Sequence, residues 1–353
     1  MLKILTIKQK YCGQNELYMR RNNEEMLSWG FYKKDATWAK RCCPCKEAPV
    51  FWSINWTAAL FHLLNTLATL GLWAASENKD QVYQLTETSA PWTNGTGITD
   101  CSTVAPSGAY LSFKTADDWC VSRVNSVTSD LSLWWLVIAF HFLSFVFQAI
   151  AMMQWKCSCC GLPWIRENYV DEVNEQGTNV LRMIEYSISA TLMQIAIALV
   201  LGIWQRLVIM GVAFLTVVTM LLGLIAEQLN ALSKSDIDLH TKGVTKTLAW
   251  AAHFTGWLSM GGAWAILGRQ FYYTIQSSAT KPPEFVYVIV GVIALLYTGF
   301  GVIQLVQLCL SGDKNSPKLN RAIENAYTIN SLTSKSFLGW IIFANALGGM
   351  AQS

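Results

Sequence analysis

The sequence predicts an all-α membrane protein, a bundle of seven transmembrane helices. Two observations carry this. The composition is too apolar for a soluble chain, and apolar stretches of spanning length recur seven times. Of 353 residues, 52% are hydrophobic and only 14% charged, where a soluble chain carries roughly 25% charge. Sixteen Trp suit membrane interfaces, where amphipathic rings gather. This composition excludes a disordered chain. A net charge of +3 is too small to mark a nucleic-acid binder.

A span needs about 20 mostly apolar residues to cross roughly 30 Å of hydrocarbon. The predicted spans are 52–75, 131–154, 180–204, 207–231, 246–268, 285–310 and 325–348. All eight prolines fall outside them, as expected of residues that break helices. A hinge of a few residues around Gln205 and Arg206 makes spans three and four antiparallel neighbours. A tail, 1–50, rich in Cys, Lys and Arg, precedes a membrane domain, 51–350, whose long loop is 76–130. The tail has no apolar run that would serve as a signal peptide.

Lys and Arg set the expected orientation. The tail holds ten, and segments 155–182, 232–246 and 311–324 hold three each, all on one side. The other side holds six, and Lys335 lies within a span. The N-terminus is therefore expected to be cytoplasmic and the C-terminus external. Loop 76–130 is then external, with seven acidic and three basic residues and a sequon at Asn94-Gly95-Thr96. Cys101 and Cys120 are its two cysteines. An oxidising compartment favours a disulfide between them, and free thiols are the other reading.

Cys42, Cys43 and Cys45 precede the first span, and Cys157, Cys159 and Cys160 follow the second. Three readings stay open: palmitoylation, a thiolate zinc site, and reduced thiols without a metal. The spacings match no standard zinc pattern.

Lys335 stands about ten residues into the seventh span, roughly 15 Å from its start. A charged Lys at that depth costs at least about 2.5–3.5 kcal/mol, so it needs a partner and marks a functional position. Glu185 is the only carboxylate expected well inside another span, with Glu227 near the end of the fourth. Spans three and seven run in the same direction, and long helical side chains lean toward the helix N-terminus, so Lys335 reaches back to the level of Glu185. Thr328 and Ser331 share the face of Lys335, and Ser189 sits one turn beyond Glu185. Two readings follow: a buried pair that only orders packing, or a neutral, nucleophilic Lys that forms a Schiff base with an aldehyde chromophore, with Glu185 as counterion.

The stretch Arg182-Met183-Ile184-Glu185-Tyr186-Ser187-Ile188-Ser189 resembles the third-helix signature of the heliorhodopsins, seven-helix retinal proteins of inverted topology. Ser331-Leu332-Thr333-Ser334-Lys335-Ser336 resembles their retinal-lysine motif. Phe285-Val286-Tyr287, Phe300 and Gln304 to Gln307 resemble their sixth helix. The likeness covers all seven spans but not the tail. It implies a rhodopsin-like bundle with all-trans retinal on Lys335 and Glu185 as counterion. His62 and His141 fall where that family carries a histidine pair, a candidate proton acceptor within a polar network that also holds Ser331 and Ser189. Met193, Met220, Trp257 and Tyr297 sit at depths suited to a flat polyene, as pocket walls or as plain packing. His253 reads as structural. Val217 and Ile303 depart from the family pattern, where Asn is common.

The first function expected is a light receptor that isomerises retinal and signals to a cytoplasmic protein, as a homodimer in the lipid bilayer. The alternative is light-gated or light-driven proton conductance. Against an efficient pump, carboxylates are expected only in the cytoplasmic half. No phosphate loop, metal-ligand run or nucleophile triad suggests an enzyme, and no metal or nucleic acid is implied.

Overall fold

The structure, a computed structural model, describes residues 49–76, 80, 82–94, 96–104, 109–115, 119–156, 172–235, 238–277, 282–310 and 316–344. The cysteines at 42, 43, 45, 157, 159 and 160, and almost all of the tail, lie outside them.

Seven long helices run through the described residues: α1 Pro49–Ala75, α2 Leu133–Lys156, α3 Val180–Val200, α4 Arg206–Leu232, α5 Leu239–Ser277, α6 Glu284–Leu310 and α7 Pro317–Ile342. Each packs on the next and α7 packs on α1, which closes the ring. Large apolar side chains such as Phe214, Leu258 and Leu295 are exposed on the outside, the arrangement expected of helices facing lipid.

Five helices are long and apolar enough to cross a membrane, whereas α5 and α7 fall short of that standard. In α7 the reason is a polar face turned inward. Asn320, Glu324, Thr328, Ser331, Ser334 and Lys335 are all buried. In α5, Thr, Gly, His and Trp dilute the apolar residues.

The ends differ from expectation. Helix α7 begins at Pro317 rather than near 325, because Ser316 caps it through Leu319 N–H and Pro317 occupies the first helical position, where its fixed φ and missing donor cost nothing. Helix α5 has 39 residues, about 58 Å at 1.5 Å per residue, well beyond the expected 246–268. Helix α3 stops at Val200, where Gly202 takes a left-handed φ of 77° that glycine adopts without strain.

The all-α expectation needs one correction. The loop after α1 forms a four-stranded antiparallel sheet: β1 Tyr83–Ser89, β2 Trp92–Asn94, β3 Ala109–Lys114 and β4 Trp119–Leu131. Strand β4 pairs with the other three. Val121, Val124 and Val127 suit a strand. Cys101 and Cys120 form a disulfide with Cα atoms 5.3 Å apart. Thr86 N–H donates to Trp204 O at 2.8 Å, and Leu85 is buried in the main core, so the sheet is fastened to the turn between α3 and α4.

Candidate functional site

Three helices meet at Lys335, which is 2% exposed, as is Glu185. The Lys335 ammonium pairs directly with Glu185 Oε1. It also donates to Ser144 Oγ at 2.6 Å, and the Ser144 hydroxyl donates to Glu185 Oε1 at 2.6 Å. Helices α2, α3 and α7 thus contribute one side chain each to a closed triangle. A buried ion pair recovers its desolvation cost only when geometry is good and the remaining hydrogen-bonding capacity is used. Ser144 supplies that here. The Tyr186 ring lies 5.1 Å from Lys335 Nζ, and its hydroxyl donates to Tyr327 O at 3.1 Å.

One turn beyond Lys335 on α7 stands Gly339. A side chain there would collide with His141 Nε2, 2.5 Å from the added Cβ, so glycine is what lets the imidazole approach. His62 and His141 are fully buried with their Nδ1 atoms 3.3 Å apart. Their Nε2 atoms have no partner among the described residues. Asn65 ties the same level together, donating to Ser336 Oγ and accepting from Trp340 Nε1, each at 3.1 Å. Ser331 and Ser189 are buried beside the triangle, and Ser189 Oγ has no partner among the described residues.

A small cavity of about 60 Å³ opens on the other side of Tyr186. Met220, Trp257 and Tyr297 line it, as do Tyr186, Phe300 and Tyr327. Met193 does not. It is buried in the core two turns beyond Glu185.

Arg182, three residues before Glu185, pairs with both Glu227 and Glu324. Its guanidinium carbon lies 4.0 Å from the centre of the Tyr327 ring. Asn179 Nδ2 donates to Glu324 Oε2 at 3.0 Å. A second, very small cavity of about 20 Å³ lies between this cluster and Glu185, lined also by Asn55, Gln148 and Thr328.

Sequence reasoning therefore brought Lys335, Glu185, Ser331 and Ser189 into one neighbourhood and His62 next to His141. It missed Ser144, Arg182 and Glu324. Ser144 had a signal, one turn after His141 on the same helix. Glu324 lies one residue before the expected start of the seventh span but inside α7, which begins at Pro317, so Glu185 and Glu227 are not the only carboxylates inside the bundle.

The heliorhodopsin family model matches residues 51–347. Among solved structures, a thermophilic rhodopsin from Rubrobacter xylanophilus is similar at 11% identity, covering 84% of this chain and 95% of that one, with a TM-score of 0.44. No curated protein matches the chain.

Proposed function

The chain belongs to the heliorhodopsin family, a family of multi-pass retinal-binding photoreceptors, and from that premise we propose that Lys335 carries the retinal and Glu185 balances its charge in a light receptor. The observation that carries the proposal is the buried amine, held by one carboxylate and one hydroxyl, next to an aromatic- and Met-lined cavity. The residues fit the group: the amine suits an aldehyde and the walls suit a polyene. When bound, retinal supplies an aldehyde carbon for an amine and a polyene that light isomerises.

Lys335 offers its nitrogen 5.1 Å from the centre of the ring of Tyr186, a residue that lines the cavity. Glu185 keeps positive charge at that nitrogen in a buried site, where an unpaired charge is costly. Ser144 holds donor and acceptor in register, so a small displacement of Lys335 Nζ breaks two hydrogen bonds together. His62 on α1 and His141 on α2 lie at the level of Gly339; their Nδ1–Nδ1 bond uses one hydrogen, so the donating ring keeps a bare Nε2 that is placed to take a proton. The dark chromophore is expected to be all-trans.

The tail and the segment between α2 and α3 are then cytoplasmic, where a signalling partner docks, and the sheet is external. The Cys101–Cys120 disulfide supports that orientation, since disulfides persist in oxidising compartments. A homodimer in the bilayer is expected, and the protein is not an enzyme.

A second reading, light-gated or light-driven proton conductance, is favoured by the cavity joining Glu185 to Arg182 and Glu324.

Adding all-trans retinal to the purified protein tests the first reading. A strong visible absorption band is expected, and a transparent sample overturns it. Voltage-clamp recording under illumination separates the two readings, because sizeable currents that reverse with the proton gradient reject a pure sensor.

A further inference from the structure

His253 on α5 is buried, and both of its ring nitrogens are engaged. Trp257 Nε1 donates to His253 Nε2 at 2.9 Å. An indole N–H donates and never accepts, so His253 Nε2 carries no proton. The ring hydrogen then sits on Nδ1 and is donated to Gln304 Oε1 at 2.9 Å on α6. Gln304 Nε2 in turn donates to Gly223 O at 2.8 Å on α4. One directed chain of hydrogen bonds thus joins three helices around the first cavity.

The chain ends on a wall. Trp257 lies against Gly301, and a Cβ added at Gly301 would overlap the six-membered ring of the indole. The indole is therefore clamped from two directions, by His253 at its nitrogen and by the bare backbone of α6 at its ring. Trp257, Gly301, Gln304 and Gly223 all line the cavity. A buried donor that loses its partner bears the full desolvation cost, so without His253 the indole turns to seek another acceptor and the wall moves.

We propose that His253 is a positioning residue: it holds Trp257 flat on Gly301 through the chain to Gln304 and Gly223, and so sets the width of the cavity where α4, α5 and α6 wall it. This rests on the reading of that cavity as the retinal site. It gives the imidazole a task unlike that of His62 and His141, which keep free nitrogens.

The test uses the full chain reconstituted with all-trans retinal. His253→Phe is expected to weaken retinal binding about tenfold, the size of one lost buried hydrogen bond, and to move the absorption maximum. Trp257→Phe is expected to do the same. The double variant should be no worse than Trp257→Phe alone, the signature of a residue acting through another. His253→Gln, which retains an acceptor and a donor, should restore the wild-type maximum. Wild-type affinity and spectrum in His253→Phe, or effects that simply add in the double variant, overturn the proposal. Nitrogen-15 NMR of ring-labelled His253 in the wild-type protein without retinal needs no variant to fold. Protonated Nδ1 with bare Nε2 is expected, and the opposite tautomer overturns the proposal. A colourless wild-type sample would defeat the retinal reading, while this tautomer measurement would still decide the clamp.

Discussion

Two buried charge groups share α3, one turn apart, and they are built to opposite ratios. At Glu185 one carboxylate faces one lysine, with Ser144 bridging them. At Arg182 one guanidinium faces two carboxylates, Glu227 and Glu324. An arginine in a protein does not give up its proton, whereas a lysine nitrogen can be neutral, charged or covalently derivatised. The cation of the first group can change its charge state and the cation of the second cannot. The comparison teaches that a buried ion pair can be a working centre or a fastening, and that the cation decides which.

The largest expected effect strikes the lysine. Lys335→Ala should abolish visible absorption after retinal addition and leave Glu185 buried without a cation. Breaking a buried pair costs about 3–5 kcal/mol, which thermal unfolding in detergent would register. Adding Glu185→Gln to that variant should restore much of the stability but none of the colour. Restored colour would break the contrast.

Arg182→Gln should cost stability on the same scale, about 3–5 kcal/mol, because it leaves Glu227 and Glu324 facing each other. Its visible band should remain. A colourless but stable variant would move Arg182 into the chromophore site.

Glu185→Gln alone should keep the band and shift its maximum strongly, since the negative partner of the retinal-bearing nitrogen is gone. An unchanged spectrum sinks the counterion assignment.

The smallest effect belongs to an exposed charge that serves as control. Asp238 caps the start of α5, accepting from Thr241 N–H at 3.0 Å and from its hydroxyl at 2.5 Å. These bonds hold its carboxyl below the ordinary carboxylate range, the hydroxyl first and the backbone next. A group with a lowered folded value stabilises above its unfolded value and loses that contribution as pH falls through the folded one. Amide exchange at Thr241 should therefore quicken below the usual carboxylate range, and Asp238→Asn should remove that dependence.

Much of the site was legible before any coordinates. Lys335 and Glu185 stand out because charge is rare in apolar stretches, and their meeting followed from helix direction and rise. Ser144 was not legible, because a serine in an apolar helix attracts no notice until its neighbours are known. Glu324 lay one residue outside the seventh span as drawn, since the hydropathy of α7 is lowered by the very residues that it buries. The sheet was not legible because β4 pairs with strands far from it in sequence, and such pairing leaves no local mark in the loop.

Hydropathy accumulates along the chain residue by residue, so the count of spans, the stranded lysine and the family motifs could be taken from letters alone. The partners of each buried polar atom could not. They depend on how each helix is rotated and shifted against its neighbours, and a change of one residue turns a side chain by about 100°. The Ser144 bridge, the two-carboxylate grip on Arg182 and the chain from Trp257 through His253 to Gln304 are products of that packing.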